Sequence, residues 1–289
     1  MQLPDRLVVG LDLDPLRCSI TSGSRAAAET ALWLARVQGS AHVTLVHSVV
    51  KDEYYDPLVD ELVPVCDTVE PAARLAVSEL VARFRAHGVG CETVDSSERP
   101  SVALAREVTA QRAQLALVGK HDGHETDAAR LGPIALRILR ESPCPVWSVV
   151  PGRASAPRRV LAATDLTPTG QIAVEWAGRI ALAAGAELHV AHVHPPSLHS
   201  RGGRGSAHLA QLASLSIAHL GESARAAAHV HLREGAPARE LLSLCEELEV
   251  DLLALGAFSH RRDEPTQVGS TAERIVTRCG AGLLLVRAR

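Results

Sequence analysis

Aromatic residues are scarce in this chain, at 2% of its 289 residues. Hydrophobic residues still make up 46% of the sequence, so we expect the buried cores to be built from Ala, Val, Leu and Ile. The formal net charge is only −3, which argues against a nucleic-acid-binding surface or an anionic membrane surface. The composition therefore predicts globular domains with no nucleic acid and no membrane as partners.

Patterns that mark disulfide frameworks, secretion and membrane spans are missing as well. The six cysteines form no CxxC pair, and the longest apolar stretches, such as residues 252–258, are too short to cross a bilayer. The N-terminal residues lack the basic and apolar pattern of a secretory signal. We therefore expect a cytoplasmic protein whose cysteines are reduced and mostly buried.

Motifs of the common catalytic and nucleotide-binding sites are also missing. The sequence has no Walker loop, no G-x-G-x-x-G fingerprint, no nucleophile elbow and no Ser-His-Asp order. No residue is thereby nominated as a nucleophile or a general base. The expectation is a binding protein that is not an enzyme.

What the sequence does contain is an internal repeat. An apolar run ending in Asp12-Leu13 returns as one ending in Asp165-Leu166, 153 residues later, whereas Gly256 follows its counterpart Gly119 by 137 residues. The shorter second offset means that the first copy carries extra loop residues before Gly119. The repeat predicts two copies of one fold, a first domain over residues 1–151 and a second over 158–289, joined by a Pro/Gly/Ala/Ser-rich linker.

Each copy alternates apolar runs with Ala-rich helical stretches, which predicts an α/β fold. Strands that are apolar almost throughout and are separated by helices indicate a parallel sheet covered on both faces. Strands are expected at 6–11, 43–50, 91–95, 115–119 and 146–150, and again at 159–164, 187–192, 229–233, 252–256 and 283–286. Helices are expected at 25–37, 71–87, 101–112 and 134–141, and again at 170–184, 205–219, 236–248 and 271–278.

Ligands of such sheets bind beyond the carboxyl ends of the strands, where the strand order reverses. In the second copy this rule selects Asp165 after the first strand, Gly256 after the fourth, and Gly269-Ser270-Thr271 at the start of a helix. Free backbone N–H groups and hydroxyl donors suit a phosphate chain, and the carboxylate suits a ribose or a phosphate-bound metal. The alternative is that Asp165, Ser270 and Thr271 merely cap helices.

Together these residues resemble the signature of the universal stress proteins, Gly-x2-Gly-x9-Gly-Ser/Thr on an α/β scaffold. Gly256, Gly269 and Ser270 match this pattern, and Ser259 stands where the second glycine is expected. The chain is similar to a tandem member of that family. The resemblance implies two Rossmann-like (adenine nucleotide alpha hydrolase-like) domains, each a five-stranded parallel sheet with helices on both faces.

The resemblance also implies a ligand, ATP with or without Mg²⁺, and a role for each matching residue of the second copy. Asp165 would face the nucleoside, Ala163 and Val193 would line the adenine pocket, and Leu255 and Gly256 would approach the nucleoside. Thr164 is counted among the cofactor-binding residues with them. Ser259, Gly269, Ser270 and Thr271 would surround the phosphates. If position 259 requires a positive φ, Ser259 costs about 1 kcal/mol of strain, although its hydroxyl could instead donate to a phosphate.

The first copy departs further from the family pattern. Asp122 occupies the second glycine position, Pro133 follows Gly132 where Ser or Thr is expected, and Ser48 replaces the valine of the adenine pocket. A carboxylate repels phosphates, and proline lacks the backbone donor. The first copy is therefore interpreted as a degenerate site.

The leading hypothesis is a cytoplasmic universal stress protein whose second domain binds ATP as a regulatory ligand in a stress response. The alternative is a nucleotide-free dimeric scaffold, or a protein that binds another small molecule or a lipid. A third reading is slow ATP hydrolysis, for which the sequence offers only Asp165 and a bound metal. A metal site at His192 and His194 matches no standard zinc spacing and is not expected. The resemblance further predicts that the two domains form an intramolecular pseudo-dimer, and it allows a homodimer.

Overall fold

The computed structural model describes residues 2–14, 19–48, 69–120, 137–139, 141–194, 205–257 and 269–287. The described residues divide into two compact units, the first between Pro4 and Ser155 and the second between Ala156 and Arg287 together with residues 2–3. They are called the first unit and the second unit below.

The first unit is built on a parallel sheet. Its described strands are β1 (Arg6–Leu11), β2 (Leu13–Asp14), β3 (Ser19–Ile20), β4 (His42–Ser48), β5 (Gly90–Ser96), β6 (Leu115–Gly119) and β7 (Val146–Val149). Five of them pair in parallel in the order β5-β4-β1-β6-β7. The short strands β2 and β3 pair antiparallel with each other, a hairpin that the sequence did not predict.

Helices of the first unit are α1 (Ser22–Gln38), α2 (Val69–Ala86) and α3 (Pro100–Ala110). The hydroxyl oxygen of Thr21 caps α1 by accepting from the Ser24 N–H, and Gly39 ends the helix with a φ of 80°. A left-handed residue at this position is the usual helix stop, and glycine adopts it without a Cβ penalty.

The helices α1 and α3 cover opposite faces of the first sheet. A Cβ atom at Gly10 would lie 3.5 Å from Cδ1 of Leu104 in α3 and 3.4 Å from Cγ1 of Val118. A Cβ atom at Gly119, the next residue of β6, would instead lie against Gly23 of α1. Because side chains alternate along a strand, these two directions are opposite faces. The predicted parallel sheet with helices on both faces is confirmed.

The second unit repeats this order. Its elements are β8 (Arg159–Ala163), α4 (Pro168–Ala184), β9 (Glu187–His194), α5 (Gly205–Ser216), α6 (Glu222–Ala227), β10 (Ala228–Glu234), α7 (Pro237–Glu247), β11 (Leu252–Gly256), α8 (Ser270–Val276) and β12 (Gly282–Val286). The strands pair in parallel in the order β10-β9-β8-β11-β12. The first strand of each unit is thus central, with its second strand on one side and its fourth on the other.

Small aliphatic residues fill both cores, as the composition predicts. The largest fully buried side chains are mostly leucines, among them Leu45 and Leu117 in the first unit and Leu161 and Leu244 in the second. Phe84 is the aromatic exception among them. Among the described helices, none combines the length and the apolar character that a membrane span needs.

The predicted helix over residues 205–219 was wrong in its extent. The structure ends α5 at Ser216 and adds the separate helix α6, which the sequence did not predict. The Arg225 side chain, from α6, donates Nη2 hydrogen bonds to the carbonyl oxygens of Ala218 (2.6 Å) and Leu220 (2.9 Å). A cation that binds carbonyls just beyond a helix is a C-terminal stop that apolar periodicity does not reveal.

The four described cysteines, Cys91, Cys144, Cys245 and Cys279, are buried thiols, as predicted. Burial raises the pKa of the Cys91 thiol to about 12; the charge of Glu92 adds to this effect and that of Arg85 opposes it. Because the thiolate is the reactive form, we expect Cys91 to alkylate about a thousandfold more slowly at pH 8 in the folded chain than after denaturation. Mass spectrometry of iodoacetamide-treated protein measures this ratio, and rapid labelling of native Cys91 would contradict it.

Candidate functional site

The predicted site residues of the second unit follow three neighbouring strands. β8 lies between β9 and β11, so the carboxyl ends of these strands are adjacent. The connection from β8 leads to β9 on one side, while β11 lies on the other. This divergence is the switch point at which open parallel sheets leave a crevice.

The loop after β8 holds Asp165 in a defined position. The backbone N–H of Thr164 donates to the carbonyl of Ala191 in β9 (2.9 Å). Oδ1 of Asp165 accepts from the backbone N–H of Thr167 (3.1 Å) and from its hydroxyl (2.5 Å). Thr167 is the N-cap of α4, because its hydroxyl oxygen accepts from the Gly170 N–H. Asp165 therefore does not cap this helix; it is exposed and oriented by the residue that does.

Two residues that the sequence analysis did not single out shape this loop. Gly170 lies so close that a Cβ atom there would be 2.6 Å from Oδ1 of Asp165 and 3.0 Å from Oγ1 of Thr164. Leu166 has a φ of 66°, a left-handed conformation that costs a branched side chain about 1 kcal/mol. Backbone strain of this kind concentrates at functional sites. The signal in the sequence was the spacing of Asp165, Thr167 and Gly170.

His192 ties the end of β9 to the same loop. Its Nδ1 lies 2.9 Å from the carbonyl oxygen of Thr164, and because a carbonyl only accepts, Nδ1 carries the proton. His194, on the same face of β9, is 2% exposed. Among the residues that the structure describes, no three His, Cys, Asp or Glu side chains form a metal-binding group.

On the other side of the crevice, β11 leads toward α8. Gly256 approaches α4 so closely that a Cβ atom would lie 2.9 Å from Cγ2 of Thr169. The Gly269 N–H donates to the carbonyl of Ala257 (3.0 Å), which holds the start of α8 beside the end of β11. Gly269 is the N-cap of α8 and supplies no side-chain cap, so neither Ser270 nor Thr271 takes that role.

The structure places every described member of the predicted set at this end of the sheet. The end of β8 carries Ala163, Thr164 and Asp165, β9 carries Val193, and β11 carries Leu255 and Gly256. The start of α8 provides Gly269, Ser270 and Thr271. Ser259 lies outside the described residues. The groups that meet here are the exposed carboxylate of Asp165, the hydroxyls of Thr164, Ser270 and Thr271, and the backbone of two glycines, Gly256 and Gly269.

In the first unit, the fourth strand and the first helix approach each other more closely. A Cβ atom at Gly119 would lie 2.1 Å from the carbonyl carbon of Gly23, so that the backbones of β6 and α1 are in direct contact. In the second unit the Thr169 side chain fills this gap. Lys120 follows β6 and is 1% exposed, so its ammonium group is not presented to solvent. The Ser48 hydroxyl donates to the carbonyl of Glu98 (2.6 Å). Asp122 and Pro133 lie outside the described residues.

A cavity of about 460 Å³ opens elsewhere in the second unit. It is lined by Arg159 at the start of β8, by Glu187 and His189 of β9, and by residues 246–249 at the end of α7. The starts of parallel strands lie at the opposite edge of a sheet from their ends. This cavity is therefore distinct from the switch-point crevice.

The chain is similar to known proteins both in sequence and in fold. The sequence matches the Universal stress protein family twice, over residues 5–150 and 157–287. A universal stress protein from Archaeoglobus fulgidus DSM 4304 has a similar fold, with a TM-score of 0.67 at 19% identity and 98% of each chain covered. A protein of unknown function from Pseudomonas aeruginosa PAO1 gives a TM-score of 0.71 at 17% identity, with 98% of this chain and 92% of that chain covered. No match is found among curated proteins.

Proposed function

Because the chain belongs to the universal stress protein family, we propose that its second unit binds an adenine nucleotide at the β8–β11 switch point. The ligand proposed is ATP, with or without Mg²⁺, acting as a regulatory signal in a cytoplasmic stress response. The observation that carries this proposal is that Asp165 and Gly256, ninety-one residues apart in sequence, follow or end adjacent strands, and that Gly269 at the start of α8 lies beside the second of them.

The geometry suggests how each part of the nucleotide would be held. Oδ1 of Asp165 is engaged by Thr167, which leaves Oδ2 of this exposed carboxylate to accept from a ribose hydroxyl. Val193 and Ala163, which lie on the same face of neighbouring strands, offer apolar contacts to the base. The backbone at Gly256 and Gly269 lets the phosphate chain come close, with the Ser270 and Thr271 hydroxyls as donors.

We favour binding over catalysis. A general base needs a titratable group aimed at an attacking water, whereas the Asp165 carboxylate is positioned by Thr167 to act as a fixed acceptor. The Nδ1 proton of His192 is used by the carbonyl of Thr164. Asp165 is thus held as a hydrogen-bond acceptor, and His192 stabilises the loop that carries it.

We expect the full chain to bind one ATP, and Asp165→Ala to weaken that binding by about tenfold to a hundredfold. The physical reason is that a hydrogen bond to a charged acceptor contributes roughly 1.5–3 kcal/mol. Titration calorimetry with MgATP gives the stoichiometry and the affinity, and thermal unfolding checks that the variant remains folded.

The matched control is Asp12→Ala, which removes the equivalent carboxylate of the first unit and should leave the affinity unchanged. Two equivalent sites, or an equal loss in both variants, would overturn the assignment to the second unit. If neither titration nor mass spectrometry of ligand released from the denatured protein detects a nucleotide, the nucleotide proposal fails and the scaffold or alternative-ligand reading replaces it.

A further inference from the structure

Three histidines meet on one face of the second sheet, remote from the switch point. His189 lies in β9, and His229 and His231 lie in β10; these three are called the histidine cluster. The parallel register aligns His189 with His229, so their side chains point to the same face. The His189 ring stacks on His229 with a centroid distance of 5.1 Å and tilts against His231 at 5.2 Å.

One hydrogen bond joins the two inner imidazoles. Nδ1 of His189 lies 3.0 Å from Nε2 of His231. Such a bond requires one nitrogen to donate and the other to accept, so at least one ring must be neutral. If both rings are protonated, two N–H donors face each other at this distance, and the bond becomes a repulsive contact.

The carboxylates near this cluster do little to stabilise additional protons on its imidazoles. Oε2 of Glu187 lies 3.7 Å from Nε2 of His189, but the same oxygen is 3.4 Å from Nε of Arg159. From α7, Glu247 approaches His231, but its carboxylate is engaged by Arg233 of β10 and by the hydroxyl of Ser243. The remaining carboxylates at the end of this helix are those of Glu246 and Glu249, which line the adjoining cavity with Glu187. The nearby carboxylates that contact the cluster are therefore already shared with arginines.

The strand that carries two of these histidines is the outer strand of the second unit's sheet. None of the seven residues of β10 is fully buried, and β10 pairs with β9 as the outer strand of the second unit's sheet order. The corresponding strand of the first unit, β5, buries Cys91 and Ser96. Beyond the seven-residue parallel register with β9, side-chain contacts across the two strands therefore contribute to holding β10 in place.

We infer that the histidine cluster stabilises the pairing of β10 with β9 in a pH-dependent manner. At neutral pH the His189–His231 hydrogen bond holds this strand on β9, and on acidification a second proton breaks the bond and releases the strand edge. The inference does not depend on the proposed nucleotide site.

The direction of the proton linkage agrees with the geometry. Burial, followed by the charge of His229, lowers the pKa of His189 below its ordinary value of 6.5. Burial, followed by the charges of His189 and Arg233, lowers the pKa of His231 in the same way. The released strand thus binds protons more readily than the docked strand. The cluster stabilises the docked strand above pH 6.5, and this contribution is lost as the pH falls toward the lowered values.

The first unit provides a contrast, because its histidines beside β5 face carboxylates: Nε2 of His42 lies 3.5 Å from Oε1 of Glu92, and Nδ1 of His47 lies 3.6 Å from Oδ1 of Asp95. Val8 in β1 and Leu161 in β8 are equivalent positions, because each lies four residues before the aspartate of its loop. Val8 aligns with Thr44 and Leu161 aligns with His189, so Thr44 is the first unit's counterpart of His189. Thr44 in turn aligns with Glu92 and donates its hydroxyl hydrogen bond to that carboxylate (3.0 Å). At this pair of positions a hydroxyl and a carboxylate therefore take the place of the two imidazoles.

The test is hydrogen exchange of the full chain, measured by mass spectrometry at about pH 7.5 and about pH 5.5 and corrected for intrinsic exchange. The lower pH remains above the ordinary pKa of carboxylates, so that histidines are the groups that change. We expect protection of residues 228–234 to fall about tenfold at the lower pH, while protection of residues 90–96 in β5 changes by less than about twofold.

A matched variant separates titration from a merely structural role. His231→Gln keeps an amide that can bond with Nδ1 of His189 but takes up no proton, so the loss of β10 protection on acidification should disappear. If His231→Gln does not fold, His189→Gln tests the same bond from the other strand. Equal loss of protection in β5 and β10, or an unchanged acid response in the glutamine variant, would overturn the inference.

Discussion

Gly119→Ala is expected to destabilise the first unit by about 3 kcal/mol, although it adds a single methyl group. The Cβ atom would lie 2.1 Å from the carbonyl carbon of Gly23, 2.5 Å from its oxygen and 2.6 Å from its Cα. All three are backbone atoms of α1, so no side-chain rotation can make room. The helix would have to move away, although its first turn is tied by the hydrogen bond from the Asp12 N–H to Oγ of Ser24 (2.8 Å).

Two glycines provide controls of graded severity. At Gly256 a Cβ atom would meet Cγ2 of Thr169 at 2.9 Å, a side-chain atom that can shift, and about 1 kcal/mol is expected. At Gly10 the nearest atoms are side-chain carbons at 3.4 and 3.5 Å, which is ordinary contact, and the change should be close to neutral. The predicted order of destabilisation is therefore Gly119, then Gly256, then Gly10.

Denaturant unfolding followed by tryptophan fluorescence measures the effect of Gly119→Ala and Gly10→Ala. A Trp176→Phe background leaves Trp33 and Trp147, both in the first unit, as the reporters. Gly256→Ala requires the reverse background, with Trp176 retained and the other two replaced by phenylalanine. If Gly119→Ala proves no more destabilising than Gly256→Ala, the direct backbone contact between β6 and α1 is wrong.

The same contact shows that equivalent glycines of the two copies have different surroundings. The glycines at 119 and 256 are identical in sequence, yet one faces backbone and the other faces the side chain of Thr169. The sequence interpretation of a degenerate first site relied on Asp122, Pro133 and Ser48. The tighter approach of α1 depends on Gly23. The importance of this residue could not be predicted, because it depends on how the helix packs against the sheet.

The parallel sheets could be predicted because each of their strands is a short apolar run that local sequence reveals. Leu161 and Leu253 belong to short apolar runs bounded by turns, and both are completely buried. The β2–β3 hairpin lacks such a signal, since Leu13–Asp14 and Ser19–Ile20 are two residues each. Short elements of this kind are stabilised by what surrounds them, and local sequence does not specify them.

The histidine cluster was invisible in the sequence for a different reason. His189 and His229 are separated by forty positions, and only the register of β9 with β10 aligns them. Attention to spacing along the chain selected His192 and His194 instead, which are neighbours on one strand face. The structure gives His192 a hydrogen bond to the loop of Asp165, a structural role that the spacing did not indicate.

The sequence left open whether two of the predicted site residues are helix caps. Asp165 and Ser270 were each compatible with a capping role, and the structure assigns the caps to Thr167 and Gly269. The capping alternative for both residues was therefore wrong. Their availability for a ligand is what the proposed nucleotide site requires.

Gly269→Asp is expected to weaken ATP binding by about tenfold to a hundredfold. Two unit charges about 5 Å apart at a protein surface repel by roughly 1–3 kcal/mol after screening, which corresponds to this range. The substitution would place a carboxylate beside Ser270 and Thr271, where the phosphates are proposed to lie. The fold should tolerate it, because Gly269 has a φ of −60° and a ψ of 145° at the N-cap of α8. Asp and Asn are both favoured at such positions.

Gly269→Asn is the matched control, since it adds a side chain of the same size and capping ability without the charge. Its affinity for MgATP in titration calorimetry should stay within about twofold of the parent. A comparison with adenosine separates the effects further, because a ligand without phosphates should bind both variants equally. If Asp and Asn weaken ATP binding to the same extent, crowding and not charge is responsible, and the phosphates do not lie beside α8. If adenosine discriminates between the variants as strongly as ATP does, the assignment of this segment to the phosphate end of the ligand is wrong.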